Sequence, residues 1–351
     1  MNANVDFQIS GKSFSVVIPN YNHGNYIAES LEAILNQSAK AKEIVVIDDG
    51  STDDSIKIIE QIAQSEASIK LVRNHTNMGS IKSIDKGLKQ TTEEYVTVLS
   101  ADDKVLSGFF EKSMSLLGRY PTAGMCCSLT RSIDSEGKDL GILPGPEIRR
   151  IPSYLSPEEV RIILNNTGMF ATGNTTFYKR ESLLEFWCLA EELQAFWDGF
   201  MAHAIALKYG ACFIPEPLAA WRKMDTGWSQ ATRKDISQGV FMINKFSHIM
   251  RSEEPNLFPE KFLWRYRRIE LSDLGRRITA SLIEQHQKTL KETNLLSEQN
   301  HSFWFQIQIT FLKMCFKLTE LTLRLHLRST YGLDKQRVIN KILSLLGKNS
   351  V

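Results

Sequence analysis

Between Phe14 and Leu99 the chain switches repeatedly from short apolar runs to stretches whose apolar residues recur at helical spacing. Few folds accept that alternation, because buried parallel strands need long crossover connections and helices usually supply them. Four strands are expected, Phe14 to Ile18, Glu43 to Ile47, Ile69 to Val72 and Tyr95 to Leu99, each bounded by turn residues. Helices are expected between them over 26–37, 55–64 and 81–90, with Ile27, Leu31, Ile34 and Leu35 on one face of the first. The pattern reads as an open α/β unit.

Sheets of this kind take ligands beyond the carboxyl ends of their strands. The residues at those ends are Pro19-Asn20-Tyr21-Asn22 after the first strand, Asp48-Asp49-Gly50-Ser51 after the second and Ser100-Ala101-Asp102-Asp103 after the fourth. Taken singly, each acidic stretch reads equally as turn or helix-cap chemistry. Together they put carboxylate, amide and aromatic groups along one edge, and a divalent cation is one way to offset the repulsion between paired carboxylates. No Gly-x-Gly-x-x-Gly follows the first strand and no Walker loop is present. A diphosphate bound there needs its charge neutralised without a glycine cradle, and oxygen ligands holding Mg²⁺ or Mn²⁺ would do so.

At 351 residues the chain suits one large domain with an appendage, read here as 1–230 and 231–351. A net charge of +2 argues against a nucleic-acid partner. The five cysteines form no C-x-x-C pair, and neither a secretion signal nor a membrane span is legible, so a cytoplasmic setting is expected.

Four stretches in this order and spacing, Ser15 to Asn22, Glu43 to Asp53, Asn77-Met78-Gly79 and Leu99 to Asp103, resemble the family 2 glycosyltransferases of the GT-A fold. The likeness is strong over 13–112, the nucleotide-sugar half, and weaker over the acceptor side, 113–230. It implies a Rossmann-like nucleotide-diphospho-sugar transferase fold, with Pro19 and Tyr21 lining the nucleotide base and Asp49 hydrogen-bonding it in favour of uracil. It also implies Asp102 on the donor, Asp103 on the metal, and an inverting transfer to a glycan or lipid-linked acceptor, usually in surface polysaccharide assembly. Where the family often has Arg-Asn before a glycine, this chain reads Ile84-Asp85-Lys86-Gly87, and Lys82 stands as the alternative donor contact or as a solvated helix lysine.

The turn-rich stretch from Asp134 to Pro152 reads as a loop, either a lid or a passive surface segment. Ser156-Pro157-Glu158-Glu159 reads as a helix start. The resemblance places the catalytic base at Asp198, among Phe196, Trp197, Phe200 and Met201, where partial desolvation is expected to raise its pKa. Trp197 stands where the family usually has Glu. Trp197 and Trp228 are each read as sugar-stacking or core, and His203 as a second candidate base or as filling a polar gap, the latter favoured. After the strand Pro217 to Trp221, Arg222 matches the family and either Arg222 or Lys223 is expected to neutralise the diphosphate, while Met224 replaces the usual His and Asp225 is a candidate substitute ligand. These departures keep open a non-catalytic nucleotide-sugar-binding or assembly subunit. A nucleotidylyltransferase is disfavoured, because Asn20-Tyr21-Asn22-His23 occupies the place of its basic Gly-rich loop.

From Thr232 onward the chain reads as helical. Trp304, Ile307, Phe311, Met314, Leu318, Leu321 and Leu325 recur at a three-four spacing, and His301 to Val351 holds eight basic residues against Glu320 and Asp334. Such a helix either packs, in a homodimer or on its own first domain, or makes peripheral contact with an anionic membrane.

Overall fold

The computed structural model describes residues 12–143, 145–169, 171, 173–224, 236–254 and 256–292. Each expected apolar run forms a parallel strand: β1 (Phe14–Asn20), β2 (Glu43–Asp48), β3 (Ile69–Arg73) and β4 (Tyr95–Val98). Helices α1 (Ile27–Leu35), α2 (Ser55–Ala63) and α3 (Ser80–Gln90) are the crossovers. The chain steps from β1 to β2 to β3 and then returns to lay β4 on the far side of β1, giving the order β3-β2-β1-β4. The direction of winding therefore reverses between β1 and β4, where an open α/β sheet leaves a crevice at its carboxyl edge.

Beyond β4 the sheet continues through strands that the alternation did not announce. These are β5 (Lys104–Val105), β6 (Met125–Ile133), β7 (Asp139–Ile142), β8 (Ser153–Leu155), β9 (Thr176–Lys179) and β10 (Ala211–Arg222), in the order β4-β9-β6-β10-β5, with β7 on β6 and β8 on β10. The expected strand Pro217 to Trp221 is the second half of β10. Register shifts around Pro217 fall where Pro215 and Pro217 have no N–H for the ladder.

The stretch read as a loop from Asp134 is in part a hairpin. Asp134 Oδ1 accepts from the N–H groups of Glu136 and Lys138, Gly137 takes φ +87°, and Arg131 pairs with Asp139 across the two strands. Five further helices follow the central strands: α4 (Phe109–Arg119), α5 (Pro157–Thr167), α6 (Arg180–Phe186), α7 (Ala190–Leu193) and α8 (Trp197–Tyr209). The start read at Ser156 is a full capping box, with Ser156 accepting from Glu159 N–H and the Glu159 carboxylate accepting in return.

One aromatic cluster ties the two halves of the sheet together. The rings of Phe14, Phe109, Phe110 and Phe177, from β1, α4 and β9, lie 4.9–5.6 Å apart between centroids. On the opposite face α3 lies close against β1, since a Cβ built on Gly87 would stand 2.5 Å from Val17 Cγ1.

The chain divides into two compact units, Met1–Gln230 with Lys245–Phe262, and Ala231–Asn244 with Leu263–Val351. Residues 245–262, assigned from the sequence to the helical appendage, thus join the first unit, and aromatic packing accounts for it. Phe246 and Phe258 lie 6.0 and 5.5 Å from Phe200 of α8, and Phe262 lies 5.2 Å from His203. The second unit contains most of α10 (Glu260–Glu292) and the start of α9 (Ile236–Ser252). The three-four seam from Trp304 to Leu325 lies outside the described residues. Among the described residues no helix is long and apolar enough to cross a membrane.

Replacing Gly87 with Val should force α3 off β1 and cost about 1–3 kcal/mol, the range for overpacking a core. Urea unfolding of Gly87→Val against the unmodified chain checks this through a lowered midpoint.

Candidate active site

At the carboxyl ends of β1 and β2 the acidic residues divide into internal struts. Asn20 Nδ2 donates to Asp48 Oδ2 (2.8 Å), and Asp48 Oδ1 accepts from Ser51 N–H (2.9 Å). Asn22, at φ +55°, accepts from Thr52 N–H through its side chain while its own N–H donates to Ser51 Oγ. Asp53 accepts from Ser55 N–H at the start of α2 and from Gly24 N–H. The loops after β1 and β2 are thereby locked to each other, leaving Tyr21 exposed and Pro19 half-buried on that edge.

Asp49 is buried, and its oxygens face the loop that enters α3. Oδ1 accepts from Asn74 Nδ2 (2.7 Å) and Met78 N–H (2.9 Å), and Oδ2 accepts from Gly79 N–H (2.8 Å). Asn77-Met78-Gly79 thus owes its conformation to Asp49. A carboxylate offers about four acceptor positions, so three bonds leave one on Oδ2.

Asp103 is 6 % exposed and is held from two sides. Its Oδ1 accepts the backbone N–H of Arg222 (2.8 Å) and its Oδ2 accepts Asn174 Nδ2 (3.2 Å). Burial, with the charge of Asp102 beside it, holds the Asp103 carboxyl well above the usual carboxylate range, although Arg222 and Asn174 pull the other way. Asp102 is half-buried.

Arg222 itself is spent inside the protein. Nε donates to Asp102 O, Nη1 to the carbonyls of Asp134 and Ser135, and Nη2 to Glu29, while the guanidinium carbon lies 4.7 Å from the Tyr26 ring centroid. Glu29 also pairs with Lys104. Burial pushes the Glu29 carboxyl up, but Lys104 and Arg222 outweigh it and hold the group below its usual value. Arg222 was expected to meet the diphosphate. Its side chain instead fastens the end of β10 to α1, to the β6–β7 turn and to the backbone of the acidic pair.

Asp198 stands in the first turn of α8, half-buried, with Oδ1 accepting Gly199 N–H (2.7 Å). Its other oxygen rests against a 3₁₀ turn, Gly173–Thr175, so closely that a Cβ on Gly173 would stand 2.1 Å from Asp198 Oδ2. The next residue of that turn is Asn174, which holds Asp103. Thr130 Oγ1 donates to Asn174 Oδ1 (3.2 Å), and Thr175 Oγ1 donates to the carbonyl of Ser128 (3.0 Å), fastening the turn to β6. Two successive residues therefore touch the two carboxylates that the resemblance assigns to the metal and to the acceptor.

Lys82 lies exposed on α3, 3.8 Å from Glu191. Trp197 is buried edge-on to Trp187 at 5.3 Å, which makes it core, and Trp187 Nε1 donates to Asp85. Trp228 and Asp225 lie outside the described residues. Asn174, Gly173 and Glu29 were missed in the sequence. In Gly173-Asn174-Thr175 the types are those of any turn, and only the packing gives them a role.

Residues 15–187 match the family described as Glycosyl transferase family 2. That match takes in just under half of the chain. Among relatives, it is 27% identical over 157 residues to the "Uncharacterized glycosyltransferase YibD" of Escherichia coli K12, covering 45% of each chain. Matches to the curated family members span less than half of their length. Among solved structures, S. aureus TarS residues 1–349 in complex with UDP aligns with a TM-score of 0.53 at 19% identity, over 75% of this chain and 70% of that one. The mannosyltransferase PcManGT from Pyrobaculum calidifontis, in complex with GDP-Man and Mn²⁺, aligns at 0.50 and 18% identity, over 88% and 87%. At such identities the likeness shows a shared GT-A fold.

The residues present suit a divalent cation. Among the described residues no three His, Cys, Asp or Glu side chains converge on one point. What the site offers is an adjacent pair, Asp102 and Asp103, in which burial and then the charge of Asp102 disfavour charge on Asp103. Mg²⁺-type sites are commonly built from one or two carboxylates with substrate phosphates completing the shell.

His203 is buried on α8, and burial pushes its imidazole down to about 4 despite a contact with the Gly199 backbone that raises it. Unfolded, a histidine titrates near 6.5. The unfolded chain thus binds the extra proton between those values, so the His203 contribution is complete above about pH 6.5 and is lost as pH falls toward 4, by roughly 3 kcal/mol. Urea titrations at pH 7 and 4.5 should show a smaller acid-side loss for His203→Leu than for the unmodified chain.

Proposed function

We propose that this domain is an inverting glycosyltransferase that moves a sugar from a nucleotide diphosphate donor, a UDP-sugar in preference, to an acceptor hydroxyl. The observation that supports this reading is the 3₁₀ turn: Gly173 packs on Asp198 and Asn174 bonds Asp103, so the candidate base and the candidate cation ligand share one support.

In this reading the base of the nucleotide stacks on exposed Tyr21 beside Pro19, and the remaining acceptor position of Asp49 takes the uracil N–H. Asp102 contacts the donor's hydroxyl groups. Lys82 supplies the donor contact at the start of α3, its long exposed pair with Glu191 costing little to release. Asp103, with Asp102 beside it, would hold Mn²⁺ or Mg²⁺, which when bound neutralises charge on the departing diphosphate. Arg222 contributes by keeping the acidic pair in register rather than by meeting phosphate. Asp198 accepts the proton of the acceptor hydroxyl as its oxygen forms the new bond to the anomeric carbon, opposite the bond to the diphosphate that breaks. The acceptor is read as a glycan or lipid-linked carrier of surface polysaccharide assembly.

A panel of UDP- and GDP-sugars, each with and without Mn²⁺, should raise the melting temperature only for the true donor with metal. With that donor, Asp198→Asn is expected to reduce transfer by about 10²–10⁴-fold, the scale of a lost general base, while donor binding persists. Full transfer by Asp198→Asn would remove this residue from the mechanism, and an inactive unmodified chain that still binds donor would favour the non-catalytic reading.

A further inference from the structure

We infer that Asn174 is a positioning residue for the cation site: its side-chain amide sets the orientation of Asp103, and the turn that bears it sets where Asp198 stands relative to that site. The inference rests on the reading of Asp103 as the cation ligand.

Asp103 has two oxygens and two anchors of different kinds. Oδ1 is tied to the N–H of Arg222, a backbone group of β10 that no substitution of a side chain removes directly. Oδ2 is tied to Asn174 Nδ2 (3.2 Å), so rotation of the carboxylate about its last bond is opposed on this side by Asn174. Asn174 is itself oriented. Its Oδ1 accepts the Thr130 hydroxyl (3.2 Å), which turns the donor side of the amide toward Asp103. The order Thr130 to Asn174 to Asp103 is therefore a relay of polar groups ending at a buried carboxylate. Outer partners of this kind orient a ligating carboxylate, and their loss typically weakens metal affinity or activity by about 10–100-fold.

The same turn meets the acceptor side. Gly173 is in contact with Asp198, and the backbone is pinned on both sides, by Thr175 Oγ1 on the Ser128 carbonyl and by Thr97 Oγ1 on the Thr176 carbonyl (2.9 Å). A shift of Asn174 that repairs its bond to Asp103 would carry Gly173 against Asp198. Donor and acceptor geometry are coupled through three residues.

The test is Mn²⁺ binding measured calorimetrically on the full chain saturated with whichever of UDP and GDP the unmodified protein binds. Asn174→Ala should weaken Mn²⁺ binding by about 10-fold or more. A merely structural asparagine would lower the melting temperature and leave Mn²⁺ affinity unchanged, and that result overturns the inference. Should Asn174→Ala fail to fold, Thr130→Val decides: weaker Mn²⁺ binding supports the relay and unchanged binding overturns it. If the unmodified chain binds neither nucleotide in a Mn²⁺-dependent way, the donor reading fails and this inference with it. If it does and Asn174→Ala matches it, only the relay is overturned.

Discussion

A carboxylate taken out of water must be held by donors or lose its charge, and Asp103 is where this domain meets that constraint. The backbone N–H of Arg222 and the amide of Asn174 hold its two oxygens, and the charge of Asp102 beside it keeps ionisation costly. Much of the surrounding structure follows from keeping those two donors in place. β10 must end beside β5, which needs the Arg222 side chain fastened to α1 and to the β6–β7 turn. The Gly173–Thr175 turn must sit against β6, which needs Thr130 and Thr175.

The architecture places this arrangement where the sheet is open. Winding reverses between β1 and β4, so the ends of those strands face a crevice not covered by a crossover. Tyr21 follows β1, and the Asp102–Asp103 turn follows β4. The antiparallel insertion of β9 between β4 and β6 then brings the 3₁₀ turn just before it to the same edge. That turn is a common neighbour of Asp198 and Asp103.

The half of the sheet from β1 to β4 was legible in the sequence, and for a physical reason. Parallel strands buried on both faces are mostly apolar, so β1, β2 and β4 announce themselves, and the residues following them are identified by position alone. The capping box at Ser156 was legible because its chemistry is local. The rest depends on contacts distant in the chain. Strand β9 is four residues long, and β7 lies among turn residues. Arginine is ordinarily exposed, so nothing in Trp221-Arg222-Lys223 signals a guanidinium buried under Glu29 and Tyr26. Asp49 reads as a ligand residue, yet three of its acceptor positions serve the loop before α3. Asn174 is one asparagine among turn residues until Asp103 is seen beside it.

The central proposal is that Asp103 would hold the cation that neutralises the departing diphosphate, with Asp198 serving the acceptor on the opposite side. Anomalous scattering from Mn²⁺ in crystals grown with the bound nucleoside diphosphate addresses it directly. The account predicts a peak at coordination distance from the Asp103 carboxylate, between the nucleotide phosphates and the Gly173–Thr175 turn. Bound nucleotide with Mn²⁺ elsewhere, or with Asp103 still facing only Arg222 and Asn174, would contradict it.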